Sequence, residues 1–284
     1  MISPFTLLTP SENNRIPLVF DSPHSGSHFP SDFISPVSKK QLMTGWDAFI
    51  EDLWSGVVTQ GGYLLHAHFS RMYIDPNRAP DDIDPSVVAT PWDKCKPTKY
   101  SERGMGLIRQ FALPGIKMYP APLSITQIQA RLNHWYLPYH DQLNNTLNEL
   151  HDNFSGVWHI DCHSMKSVGN KMNIDAGAPR PDIILGDNDG TTASDEFVSV
   201  VHDTFVSLGY SVVRNKPYKG GYVVNHYADV SRNRHSMQIE INRRLYMDEV
   251  ALKRNDNFDK FKADLATVSQ AVADYVSQQV SVAN

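Results

Sequence analysis

Short apolar runs alternate with amphipathic stretches along almost the whole chain, and this alternation constrains the fold more than any other feature. Residues 16–20, 157–162, 182–185 and 236–241 are short, apolar and bounded by turn residues, so they read as buried strands. Further strands are expected over 63–74, 210–214 and 222–225. Between them, apolar residues recur at helical spacing. Residues 38–58 carry Trp46, Phe49, Ile50, Leu53, Trp54 and Val57 and close at Gly61-Gly62, which predicts one helix. Residues 124–150 predict a long helix with a capping box at Ser124 and Gln127 and a kink at Pro138. Residues 194–208 read as a helix stopped by Gly209, and 258–280 as one with a stripe of Leu265, Val268, Val272 and Val276. Strands alternating with helices predict an α/β fold, a three-layer α/β/α sandwich around a mixed, largely parallel sheet. The Pro-rich piece from Asp75 to Pro97 holds Val87, Val88 and Trp92 and reads as an ordered excursion, not a linker. A single domain over residues 1–284 is therefore expected.

Charge narrows the partners. Lys and Arg number 26 against 31 Asp and Glu, a net −5, and the isoelectric point is about 6.2. A nucleic-acid or anionic-membrane binder draws its affinity from a basic surface, so neither partner is expected. An anionic ligand must then be caught by a local group of Arg or Lys. Cys95 and Cys162 make no disulfide framework and no Cys-rich zinc module. The first fifteen residues lack a secretory pattern and no run of about 18 apolar residues occurs, so a cytoplasmic protein is expected. A homo-oligomer is left open.

In a parallel sheet the polar residues just past the carboxyl ends of strands form the site. His24 follows the first expected strand. In Trp158-His159-Ile160-Asp161-Cys162-His163, period-two alternation puts His159, Asp161 and His163 on one face and the apolar residues on the other. Three polar groups on one face of a buried strand need a reason. Glu240, between Ile239 and Ile241, is either paired with a cation or works as an acid or base. Imidazoles at strand ends can converge on one metal ion, and catalytic zinc takes three protein ligands. Each histidine taken singly is also compatible with a hydrogen-bonded core role. Arg71 and Arg78, seven residues apart, offer guanidinium forks for a carboxylate or an oxyanion.

Six segments, in order, resemble the N-formylglutamate amidohydrolase family: Asp21 to Gly26, Ser70-Arg71 to Asn77-Arg78, Tyr136 to His140, Asp161 to Met165, Pro217 to Gly221 and Gln238 to Arg243. The resemblance spans about residues 17–249 and implies a zinc-carboxypeptidase-like fold, related to aspartoacylase, with one divalent metal ion, zinc foremost. It implies His24 and His163 as metal ligands, Glu240 as catalytic base, and Arg71 as the group that polarises the scissile carbonyl. Asn77 and Arg78 would hold the substrate α-carboxylate. Ser27 stands where the wider superfamily has a glutamate ligand, so a second ligand must come from elsewhere; Asp47 is the best candidate and His28 its rival. Asp161 would orient a ligand or serve as a structural acceptor. A second substrate carboxylate needs another cation, from Arg109, Lys219 or Arg232. The implied activity is hydrolysis of a small anionic N-acyl amino acid, N-formyl-L-glutamate to formate and L-glutamate, as in histidine degradation. An aspartoacylase-like deacylase and a non-catalytic carboxylate binder of the same fold are the alternatives.

Overall fold

The computed structural model describes residues 2–282. In chain order its elements are β1 (Phe5–Leu8), β2 (Leu18–Ser22), α1 (Lys39–Leu42), α2 (Ile50–Leu53), β3 (Tyr63–Ala67), β4 (Phe111–Leu113), β5 (Ile116–Lys117), α3 (Ile125–Arg131), α4 (Leu137–Phe154), β6 (Val157–Met165), β7 (Ile183–Gly186), α5 (Asp195–Ser207), β8 (Val212–Arg214), α6 (Tyr222–Tyr227), β9 (Arg234–Asn242), β10 (Met247–Asp248), β11 (Lys253–Arg254) and α7 (Phe258–Val282). The main sheet runs in the order β1-β3-β2-β6-β9-β7-β8. Its centre, β3-β2-β6-β9, is parallel. β1 pairs antiparallel with β3 at one edge, and β7 antiparallel with β9 near the other.

Alternation along the central strands sends side chains into two apolar layers. Leu18, Phe20, Ile160, Cys162, Ile239 and Ile241 pack with α2, α5 and the Leu265, Val268, Val272 and Val276 stripe of α7. Val19, Leu65 and Val157 pack with Tyr139, Leu143, Leu147 and Leu150 of α4 and Val223 of α6. The result is the expected α/β/α sandwich with a mixed, largely parallel sheet. Among the described residues no helix is long and apolar enough to cross a membrane.

Local expectations fare unevenly. Ser124 accepts from the amide of Gln127 in a full capping box. Pro138 has no amide to donate to the preceding turn, and the ladder there widens into a π-turn over Leu132–Tyr136. The helix expected over 38–58 is broken: Trp46 is extended and Phe49 takes a left-handed φ of 64°. Its apolar stripe is real, but α1, α2 and the 3-10 turn Ser55–Gln60 share it. The break turns Asp47 inward, with its amide donating to the carbonyl of His24 at 3.1 Å. Residues 222–225, expected as a strand, open α6 instead. The amides of Gly221 and Val223 donate to the side chains of Gln238 and Asn77, which caps a helix start. A Cβ on Gly221 would lie 2.2 Å from the Asn77 Oδ1, so only glycine fits there. The strand expected over 63–74 ends at Ala67, and the edge strand β1 was not foreseen.

Candidate metal centre and its arginine flank

Adjacent parallel strands β2, β6 and β9 bring three carboxyl ends side by side. Asp21 pairs in register with Asp161, and His163 with Glu240. His24 lies in the turn after β2, and Asp47 enters from the broken helix. The Nδ1 atoms of His24 and His163 are 3.0 Å apart. The Asp47 Oδ2 lies 3.2 Å from the His163 Nδ1 and 3.6 Å from the His24 Nδ1. These three residues form a buried group able to hold a metal ion.

Around each imidazole the far nitrogen is occupied. The His24 Nε2 hydrogen-bonds the Asp75 Oδ1 at 2.7 Å. The His163 Nε2 lies 2.7 Å from the Asp161 Oδ1. The ionised Asp75 carboxylate only accepts, so the His24 Nε2 carries the proton and its Nδ1 lone pair faces the cluster, while the His163 Nε2 also lies 2.9 Å from the Asn77 Nδ2. Two imidazole nitrogens and a carboxylate at these separations need a proton or a metal cation among them. Tetrahedral ligands at about 2.1 Å from an ion sit about 3.4 Å from one another, and the three separations here, 3.0, 3.2 and 3.6 Å, bracket that edge. Burial raises the Asp47 pKa, but its contacts with His163, His24 and the Arg243 charge outweigh this and hold it well below the usual carboxylate range. Burial lowers the His163 pKa, yet the Asp161 carboxylate beside it wins and raises it well above the usual value. The field that draws a proton to His163 is one that a divalent cation would satisfy.

Arg243 was not singled out in the sequence as part of this cluster. It is buried, and it donates to the Asp47 Oδ1 at 2.9 Å, the Ser164 Oγ at 3.0 Å and the Thr44 carbonyl at 3.1 Å. It therefore fixes Asp47 with Oδ2 toward the histidines. Asp75, which the family resemblance groups with Asn77 and Arg78 in a substrate-carboxylate element, instead holds cluster residues in place. Its Oδ1 serves His24 and the amide of Asn77, and its Oδ2 takes the Arg71 Nε and Nη2 at 3.1 and 2.7 Å. Arg71 lies in the turn after β3, four residues before Asp75, not on a strand.

Glu240 accepts from the Gln238 Nε2 at 2.8 Å. Burial pushes its pKa up to about 7, opposed by the His163 charge. That value suits a general base near neutral pH.

Of the residues marked in the sequence, the fold gathers His24, Asp47, His163, Asp161, Glu240, Arg71 and Arg109. Arg109 places its Nε 3.7 Å from the Asp75 Oδ2. Asn77 is buried and internally bonded: its amide nitrogen donates to the Asp161 Oδ2 at 3.0 Å and its oxygen accepts from the Val223 amide at 2.9 Å. Arg78 donates to the carbonyls of Met105 and Asn77. His28 stays apart, hydrogen-bonded by its backbone to His68 and Ser70, with its ring against Trp135. The Lys219 ammonium pairs with exposed Asp189. Arg232 is exposed and precedes β9, at the opposite end of that strand from Glu240.

Fold and site together define a class: an α/β/α sandwich with a two-histidine, one-aspartate cluster where neighbouring parallel strands end, flanked by arginines and a buried glutamate. The family model for N-formylglutamate amidohydrolase matches residues 16–247, and the chain belongs to that family. The crystal structure of N-formylglutamate amidohydrolase from Ralstonia eutropha JMP134 superposes with a TM-score of 0.94 at 38% identity, covering 98% of this chain and 100% of that one. The N-formylglutamate deformylase of Pseudomonas aeruginosa is 28% identical, over 92% of this chain and 91% of its own. That of Pseudomonas putida is 26% identical, over 91% and 90%.

Proposed function

We propose that this protein is a metal-dependent hydrolase that cleaves N-formyl-L-glutamate to formate and L-glutamate. The observation that carries the reading is Glu240, in strand register beside His163, at the edge of a cluster suited to one cation. His24, Asp47 and His163 would hold that ion. Zinc suits two imidazoles and a carboxylate, with a further position open. When bound, such an ion supplies Lewis acidity, drawing charge from an amide carbonyl and acidifying water.

The chain's own residues do the rest. Glu240, with its pKa near 7, takes a proton as water attacks the formyl carbon. It returns that proton to the amide nitrogen as the C–N bond breaks. Arg71 is held through Nε and Nη2 by Asp75, which turns its remaining nitrogen to charge developing on the carbonyl oxygen. Asp75 keeps His24 in the tautomer that leaves Nδ1 free, and the Asp161 charge favours a cation beside His163.

A panel of N-formyl and N-acetyl amino acids, assayed with zinc added, tests the reading. Formate release is expected to be fastest from N-formyl-L-glutamate. Absence of formate from every N-formyl compound, with metal bound, would overturn it. Faster cleavage of N-acetyl compounds would move the assignment to an aspartoacylase-like deacylase.

A further inference from the structure

Three arginines, Arg71, Arg78 and Arg109, lie around the single carboxylate of Asp75. That carboxylate is already engaged by His24, the Asn77 amide and two nitrogens of Arg71. Arg78 spends its Nε and Nη1 on the carbonyls of Met105 and Asn77, and its guanidinium stacks 4.4 Å over the Tyr100 ring. It works as a staple for the loop it sits in. Asn77 is turned into the protein, its oxygen accepting from Val223 and its nitrogen bonded to Asp161 and beside the His163 Nε2.

Arg109 differs from both. Its Nε is buried and has no hydrogen-bond partner among the described residues. The nearest carboxylate oxygen, that of Asp75, is 3.7 Å away, at ion-pair range but beyond a hydrogen bond. Its backbone is held close to Asp75, whose amide donates to the carbonyl of Leu107 at 2.9 Å. The side chain keeps 11% of its surface exposed, as Arg71 keeps 15%, while Asp75 keeps none. Burial, with the positive charges of Arg71 and Arg78 beside it, pushes its pKa down to about 9. A buried guanidinium that shares its one paired carboxylate with Arg71 and hydrogen-bonds to no anion is costly to maintain, and a guanidinium is the group that takes a carboxylate by two parallel bonds.

We propose that Arg109, and not the Asn77–Arg78 pair, is the specificity-determining cation that receives a substrate carboxylate. The inference rests on the hydrolase reading and deepens it: the enzyme selects acidic N-acyl amino acids because Arg109 has no hydrogen-bonded carboxylate until one binds. Asn77 and Arg78 are positioning residues that shape the pocket wall.

The test compares wild type, Arg109→Gln and Arg109→Lys on N-formyl-L-glutamate, N-formyl-L-glutamine and the α-amide of N-formyl-L-glutamate. Losing one partner of a desolvated, hydrogen-bonded charge pair should cost on the order of 10²-fold. Wild type should prefer the dicarboxylate over one of the two amides, and Arg109→Gln should collapse that preference by at least about tenfold. Which amide shows the collapse tells whether the γ- or the α-carboxylate is read. Lysine should restore the preference only in part, since a point charge does not replace the fork. Calorimetric binding of L-glutamate to the metal-loaded proteins gives a second measurement that needs no turnover, and it should weaken at least tenfold in Arg109→Gln. Metal content and circular dichroism confirm the fold; if Arg109→Gln does not fold, Arg109→Lys decides by the same ratios. Unchanged preference and unchanged glutamate binding in the folded variants would overturn the role of Arg109. Wild type that binds glutamate through Arg109 but releases no formate would sink the hydrolase reading alone.

Discussion

Asp75 holds the cluster and its arginine flank in one geometry, and Asp75→Asn tests that coupling at nearly constant shape. The asparagine removes one negative charge near the ion site whichever way its amide turns. The His24 Nε2 is 2.7 Å from the Asp75 Oδ1. Crossing the imidazole and one metal–ligand bond puts the carboxylate about 7 Å from a cation held at Nδ1. At an effective dielectric of about 20, a unit charge and a divalent ion at that distance interact by about 5 kcal/mol, and half that, about 2 kcal/mol, is a conservative figure after screening. The expected loss of zinc affinity is therefore at least about 30-fold. Orientation acts in the same direction. An amide has one acceptor oxygen, but Asp75 serves two donors at each oxygen, so either His24 or the Arg71 fork must face an N–H. Breaking the buried pair to Arg71 should also cost about 3 kcal/mol of folding stability. Zinc affinity is measured by competition against a chromophoric chelator on protein verified as folded by circular dichroism, with urea unfolding run in parallel. A folded Asp75→Asn that binds zinc within twofold of wild type would refute the coupling.

The other predictions concern the ligands, the base and one half-buried acid, Glu51 of α2. Removal of metal by a chelator should abolish turnover, and His24→Ala, His163→Ala and Asp47→Ala should each lose the single ion expected per chain, as read by metal analysis; full occupancy in all three would sink the site. Glu240→Gln should keep the ion while turnover falls by at least ~10²–10⁴-fold, and near wild-type turnover would make Glu240 structural. Burial raises the Glu51 pKa to about 7 from its ordinary 4.5, with the Asp52 charge adding to the shift, and its Oε2 has no hydrogen-bond partner among the described residues. The folded state therefore holds this proton more tightly than the unfolded chain, so stability present below about pH 4.5 is lost as pH rises through about 7. Glu51→Gln should escape that loss and be more stable than wild type by about 2 kcal/mol at pH 8, with the difference vanishing near pH 4.5; equal urea midpoints at both pH values would contradict this.

The layer order of this protein was legible because it depends on periodicity, a local property. Two-residue alternation in β6 separates Ile160 and Cys162 from Asp161 and His163, and the structure keeps that separation. The Leu265, Val268, Val272 and Val276 stripe likewise marks the buried face of α7. Expectation failed where tertiary contacts outbid local preference. The stripe of 38–58 is served by short helical pieces because the break lets Asp47 reach His163. Tyr222-Val223-Val224 suits a strand by composition, yet Asn77 and Gln238 cap the amides at its start and a helix forms.

The same division holds within the site. From sequence came the residue types able to ligate, to accept a proton and to bind an anion, with His24, His163 and Glu240 at the ends of expected strands. The partner of each atom came only from the fold. His24 and His163 are 139 residues apart, and Arg243 and Asp47 are 196 apart. No local pattern encodes contacts of that range; they follow from β2, β6 and β9 lying adjacent and from how the connecting loops close over their ends. Sequence marked Arg78 and Arg109 alike as cations. Only the tertiary structure separates them: hydrogen bonds to Met105 and Asn77 hold Arg78, while the buried Arg109 Nε has no hydrogen-bond partner among the described residues.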